Sequence, residues 1–151
     1  MITAEDLKKI VLFQYLKDTM LEKIAPLAVV MEYKPNNYVF QEGNNADRIY
    51  SIVEGNVVLE IRKHSGNDVI INTITPGMTI GISAVIDTPE RKYMTSARAY
   101  TETKAYSWKS DELECLFSQD CEMGLLFMKR IAKILKTRLE VRNIQFIDIY
   151  K

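Results

Sequence analysis

The stretch GMTIGISAVIDTPERKYMTSARA, residues 77–99, decides how this chain reads. Gly77 and Gly81 stand four positions apart, and a run of small and apolar residues follows them. A charged loop then opens at Pro89, and the alternating segment Thr95 to Ala99 closes the stretch. Glycine admits backbone angles that other residues avoid, so a chain of this texture turns tightly, offers bare amides and returns into a sheet. That is the layout of an anion-cradling loop set between strands.

On both sides of this loop, from Val30 to Trp108, the chain favours short strands. The runs are Tyr38 to Phe40, Ile49 to Val53, Val57 to Ile61, Val69 to Ile71, Ile80, Ala97 to Tyr100 and Lys104 to Trp108. Turn formers separate them at Pro35-Asn36-Asn37, Glu42-Gly43-Asn44, Glu54-Gly55-Asn56, Ser65-Gly66-Asn67 and Pro76-Gly77. Such regular punctuation predicts a sandwich, barrel or jelly roll.

Helical patterns flank this β segment. Thr3 and Asp6 form a capping-box spacing ahead of Leu7, Ile10 and Val11. Asp18 or Thr19 is placed to cap a second short helix carrying Leu21, Ile24 and Ala25, with Pro26 late in it or ending it. After Trp108, Ser110 reads as an N-cap with Asp111 and Glu112 in the first turn. Asp120 or Ser118 opens a long final helix, roughly Cys121 to Phe146. The expectation is one domain over 1–151: N-terminal helices in 1–29, a β-roll in 30–108 and C-terminal helices in 109–151.

With 151 residues and 47% apolar content, the chain suits one domain with a proper core. Lys plus Arg and Asp plus Glu are equal at 20 each, so the basic surplus that suits direct DNA binding is lacking. The early apolar run Ile10 to Phe13 is too short for a signal-peptide core or a membrane span, which predicts a soluble, cytoplasmic protein without membrane attachment. Cys115 and Cys121, with no histidine near them, give neither a zinc pattern nor a disulfide framework and read as reduced, packed thiols. His64, the single histidine, sits beside a turn signal and reads as exposed. No nucleophile, base and orienting group can be assembled, and Gly77-x-x-x-Gly81 lacks the lysine of a P-loop, so no enzyme activity and no resident cofactor or metal are expected.

The final helix is more apolar than one buried face requires. Leu125, Met128, Ala132, Leu135, Leu139 and Phe146 keep a three-four spacing that Arg142 interrupts, while Phe127, Ile131, Ile134 and Val141 make a second stripe beside it. One stripe covers the roll; the other predicts a homodimer through this helix. Its cations, Lys129, Arg130, Lys133, Lys136, Arg138 and Arg142, read as a solvated basic face.

Four of these segments, in register over nearly the whole chain, resemble the cyclic-nucleotide-binding domain of the catabolite-activator family. They are Tyr38 to Gly43, Ile49 to Gly55, Pro76 to Ala84, which is similar to the family's phosphate cassette, and Thr95 to Ala99. The resemblance implies a mostly β fold: an eight-stranded double-stranded β-helix, or jelly roll, with two short N-terminal helices and a long C-terminal dimerisation helix. It also implies a cyclic nucleotide or another small anionic ligand as the candidate guest. Transcription factors of the family add a helix-turn-helix of about 60–70 residues, whereas five residues follow Phe146 here. The expected role is therefore a stand-alone ligand-sensing module acting through a protein partner, or, as the alternative, a ligand-free dimerisation or scaffold module.

The departures from the family fall where its ligand chemistry lies. The glutamate that accepts the ribose 2′-hydroxyl corresponds to Ile82, the phosphate-binding arginine to Tyr93, and the small hydroxyl residue beside it to Met94. Charged hydrogen bonds contribute about 1.5–3 kcal/mol each, so losing two predicts binding weaker by roughly two to four powers of ten. Gly81, Ser83 and Ala84 keep the turn that offers amides, and Arg91 and Lys92 are the loop cations able to supply charge. Tyr93 and Met94 either fill a collapsed pocket or, with Ser83, line a pocket for another ligand. Arg142 and Asn143 resemble the positions from which relatives contact the base, with fraying of the helix as the alternative, and Arg98 reads as a structural strand residue.

Overall fold

A computed structural model describes residues 1–150. The chain opens with a complete capping box, in which the Thr3 hydroxyl accepts from the Asp6 amide and the Asp6 carboxylate accepts from the Thr3 amide at 2.9 Å, ahead of α1 (Ala4–Leu7). A 3-10 turn, Val11–Phe13, leads to α2 (Asp18–Ile24). Asp18 does not cap α2: it is the first helical residue, Lys17 holds the cap position, and the Asp18 carboxylate faces Lys8 at 3.3 Å. Pro26 is the second residue of a 3-10 turn, Ala25–Leu27, where its missing N–H falls among the free amides of the first turn.

Eight strands follow: β1 (Val29–Tyr33), β2 (Tyr38–Phe40), β3 (Arg48–Glu54), β4 (Val57–Arg62), β5 (Asp68–Ile74), β6 (Thr79–Ile80), β7 (Ser96–Ala99) and β8 (Thr103–Lys109). They make two four-stranded sheets, ordered β1-β8-β3-β6 and β2-β7-β4-β5, with every pairing antiparallel. This is the eight-stranded jelly roll. The strand that no sequence run singled out is β1, an edge strand paired only with β8, whose Val29 and Val30 are exposed.

Strand alternation divides the work of the first sheet. Ile49 and Trp108 lie opposite one another, both fully buried, while Tyr50 points into the roll and meets Phe40 at 5.9 Å between ring centroids. Trp108 packs edge-on against Phe13 at 5.0 Å, and its indole N–H donates to the Ile24 carbonyl at 3.0 Å. Phe127 adds a ring 6.3 Å from Phe13, so one aromatic cluster fastens the N-terminal helices and the last helix onto the sheet. In the second sheet, Ala97 and Ala99 of β7 are fully buried.

After β8 come α3 (Ser110–Gln119) and α4 (Cys121–Ile149). Lys109, not Ser110, holds the α3 cap position, while Asp120 caps α4 by accepting from the Met123 amide at 3.0 Å. The two stripes of α4 separate over its first half only: Ile134 is partly buried, and Val141, of the stripe expected to cover the roll, is exposed. Phe127 and Ile131 are buried, whereas Leu125, Met128, Leu135, Leu139 and Phe146 are exposed. Cys115 and Cys121 are free but exposed, not packed, because the buried stripes of α3 and α4 run through Leu113, Met123 and Phe127 instead. His64 is exposed in the β4–β5 turn. Among the described residues, no helix is long and apolar enough to cross a membrane.

Candidate functional site

The Gly77–Ala99 stretch contains β6 and β7 and forms one wall of a cavity of about 500 Å³. Gly81 sits at φ 81° and starts a 3-10 turn, Ile82–Val85. A Cβ there would lie 2.8 Å from the Arg48 carbonyl oxygen, so both the angle and the space require glycine. Gly81, Ile82 and Ser83 line the cavity on this wall. Ala84 does not: it is fully buried, and its amide donates to the Gly81 carbonyl at 3.0 Å.

Tyr93 occupies the end of the cavity nearest Gly81. It is 5% exposed and stacks on Phe40, with centroids 3.9 Å apart and planes 15° from parallel. Its hydroxyl donates to the Arg48 carbonyl at 2.8 Å and accepts from the Arg48 amide at 3.2 Å. Burial pushes the phenol well above its usual range, so it is neutral at any physiological pH. Thus the position that resembles the phosphate-binding arginine holds a ring fastened to the roll's own backbone. Met94, 79% exposed, stands at the mouth.

The two loop cations take different parts. Arg91 is absent from the lining and acts as a staple: its guanidinium pairs with Glu114 at 2.7 Å and Asp87 at 3.4 Å, and donates to the Ala84 carbonyl at 3.3 Å. Lys92 lines the cavity with its ammonium 3.8 Å from Glu90. Arg98 also serves the framework, bonding Glu60 at 2.5 Å and the Asn36 side-chain oxygen at 2.9 Å.

The opposite wall comes from β4, β5 and α4. Leu59, Ile61 and Ile71 give an apolar surface, and Leu135, Arg138 and Arg142 descend from α4. The helix is continuous through Arg142, which makes no hydrogen bond or ion pair among the described residues. Asn143 lies outside the lining. Gln145 donates to the Ile71 carbonyl at 3.0 Å and ties the helix end to β5.

Arg138 is the site residue that sequence reasoning missed. It donates to the Thr79 carbonyl, pairs with no carboxylate among the described residues, and burial lowers its pKa. The signal was present in the spacing. Arg138 follows Ile131 by seven and Ile134 by four, which puts a charge on the stripe that faces the roll. The lining therefore contains Lys92, Arg138 and Arg142 against one acid, Glu90.

A jelly roll with a cavity between a glycine-initiated turn and a long helix has room for a small molecule. The sequence profile described as "Cyclic nucleotide-binding domain" matches residues 30–120, and the chain belongs to that family. It is similar to the CRP-like cAMP-activated global transcriptional regulator of Mycobacterium tuberculosis, at 23% identity over 91% of this chain and 61% of that protein. The chain thus spans less than two thirds of that relative's length, as the regulatory module it shares with it. Among solved structures, a cyclic nucleotide-binding domain from Methylobacillus flagellatus matches with a TM-score of 0.85 at 14% identity, covering 97% of this chain and 85% of that one. The N-terminal domain of a transcriptional regulator from Streptomyces coelicolor matches with a TM-score of 0.74 at 20% identity, covering 91% and 94%.

Proposed function

We propose that the chain is a ligand-sensing regulatory module whose cavity is no longer built for cyclic AMP or cyclic GMP, and that it acts in the cytoplasm through protein contacts made by α4. One observation carries this reading. Ile82 and Tyr93, both nearly fully buried, stand at the positions that resemble the family's ribose acceptor and phosphate donor, yet a cavity of about 500 Å³ remains beside them. A ligand-free scaffold is the second reading, favoured by the Tyr93 ring that fills the Gly81 end. The open volume and the unpaired Arg142 favour a ligand. Output through protein contacts is supported by the balanced charge and by the exposed apolar stripe of α4, which fits a second copy of this chain.

The test is calorimetry with both cyclic nucleotides on the natural chain and on an Ile82→Glu/Tyr93→Arg variant. The natural chain should bind no tighter than about the high-micromolar range, and the variant at least roughly tenfold tighter. Tight binding by the natural chain would overturn the reading.

A further inference from the structure

The cavity's polarity runs along its length, and this says what kind of guest suits it if the cavity is the sensing site, as proposed above. Its β-roll side is mainly apolar, with Ile61, Ile71 and Ile82 in the lining and Asn72, Ser83 and Thr95 as its polar members. Charge enters from α4, where Arg138 and Arg142 stand four residues apart on one helix face. Neither has a carboxylate partner among the described residues, while the one lining acid, Glu90, is engaged with Lys92. Arg138 is partly buried and bonded only to the Thr79 carbonyl, so its guanidinium is desolvated without a counter-charge, and a ligand carboxylate would relieve this with the exposed Arg142 beside it.

We propose that the cavity binds an amphiphilic monocarboxylate, its apolar body against Ile61, Ile71 and Ile82 and its carboxylate between Arg138 and Arg142. The anionic end then faces the long helix and not the glycine turn, so occupancy bears directly on α4. The cassette wall suits this end less well, because Ile82 and the Tyr93–Phe40 stack offer it no cation, Arg91 is engaged by Glu114, and Lys92 stands 3.8 Å from Glu90.

The probes are octanoate, octanamide and octyl phosphate, titrated calorimetrically into the full chain, with amide NMR shifts at Ile61, Ile71 and Ile82 locating the bound chain. Octanoate should bind at least roughly tenfold tighter than octanamide, the loss expected for a charged hydrogen bond. Shortening the acid should weaken binding by about threefold to fourfold per methylene removed. Arg142→Gln should cut octanoate affinity roughly tenfold and leave octanamide unchanged; because Arg142 is exposed and bonds nothing in the fold, this variant stays informative even if Arg138→Gln folds poorly. Equal binding of acid and amide, tighter binding of octyl phosphate, shifts confined to other surfaces, or no octyl binding would each overturn the proposal. Tight cyclic AMP binding would instead overturn the functional reading, whatever the octyl series does.

Discussion

Removing the Tyr93 hydroxyl tests whether the glycine end of the cavity is framework or binding surface. In Tyr93→Phe the ring keeps its stack on Phe40 at 3.9 Å, but the bonds to the Arg48 carbonyl at 2.8 Å and the Arg48 amide at 3.2 Å are lost. Neutral hydrogen bonds contribute about 0.5–1.5 kcal/mol each, so the pair accounts for about 1–3 kcal/mol. For a chain of this length that is a fall in Tm of roughly 2–12 °C. Thermal unfolding followed by the fluorescence of Trp108, the sole tryptophan, reads it directly, since that ring joins the N-terminal helices to the roll. Tyr93→Arg should be worse, because a guanidinium replaces a ring that is 5% exposed, and cyclic AMP should restore stability only when Ile82→Glu is also present. An unchanged Tm in Tyr93→Phe would refute the framework assignment.

Further outcomes follow from other parts of the fold. Leu135 and Leu139, 42% and 60% exposed on α4, should hold a homodimer together; aspartate at both gives monomers in light scattering, and a monomeric natural chain at about micromolar concentration would remove the idea. Arg98→Gln should destabilise the chain by about 3 kcal/mol in urea unfolding by stranding Glu60, which is 5% exposed, and adding Glu60→Gln should recover much of that loss; equal stability of the single and double variants would argue against a coupled pair. Burial pushes Tyr33 up to about 12 and raises Tyr50 and Tyr93. Each favours the neutral phenol in the folded state, so this contribution is complete below about pH 10, the unfolded value, and lost as pH rises above it. Urea midpoints that stay flat across that range would contradict the burial of these phenols.

The fold was legible because its signals are local. The capping box at Thr3, the turn glycines and the first half of the two α4 stripes act within a few residues and appear where their spacing puts them, whereas Val141 is exposed because α4 runs past the roll. Strand β1 escaped because an edge strand that buries one face weakly carries little alternation. The site was half legible. Gly81, Ile82, Ser83, Lys92, Tyr93, Met94 and Arg142 do come together around the cavity. Ala84, Arg91 and Asn143 do not, since adjacency in sequence does not say whether an amide is already bonded or a guanidinium has found an acid on another helix. Arg138 was read as part of a solvated face, because basic residues on a helix look alike until the roll decides which of them it covers.

The two changes at the cassette depend on one another physically. A Cβ at Gly81 would lie 3.4 Å from a ring atom of Tyr93, so residues 81, 82 and 93 share one small wall. A glutamate at position 82, which is 6% exposed, would be a largely buried carboxylate without a guanidinium on its own wall, because Arg91 is held by Glu114 and Asp87. An arginine at position 93 would meet Phe40 and the Arg48 backbone where the phenol now sits, and its charge would have no anion in the empty cavity. With either charged group absent, the other is a liability, and apolar packing is the stable alternative. On the function proposed above, the wall would have two self-consistent states, one paired with a nucleotide and one filled by isoleucine and tyrosine; in this chain Ile82 and Tyr93 fill it. Its remaining charge lies across the cavity on α4, at Arg138 and Arg142, where the roll supplies no acid to meet it.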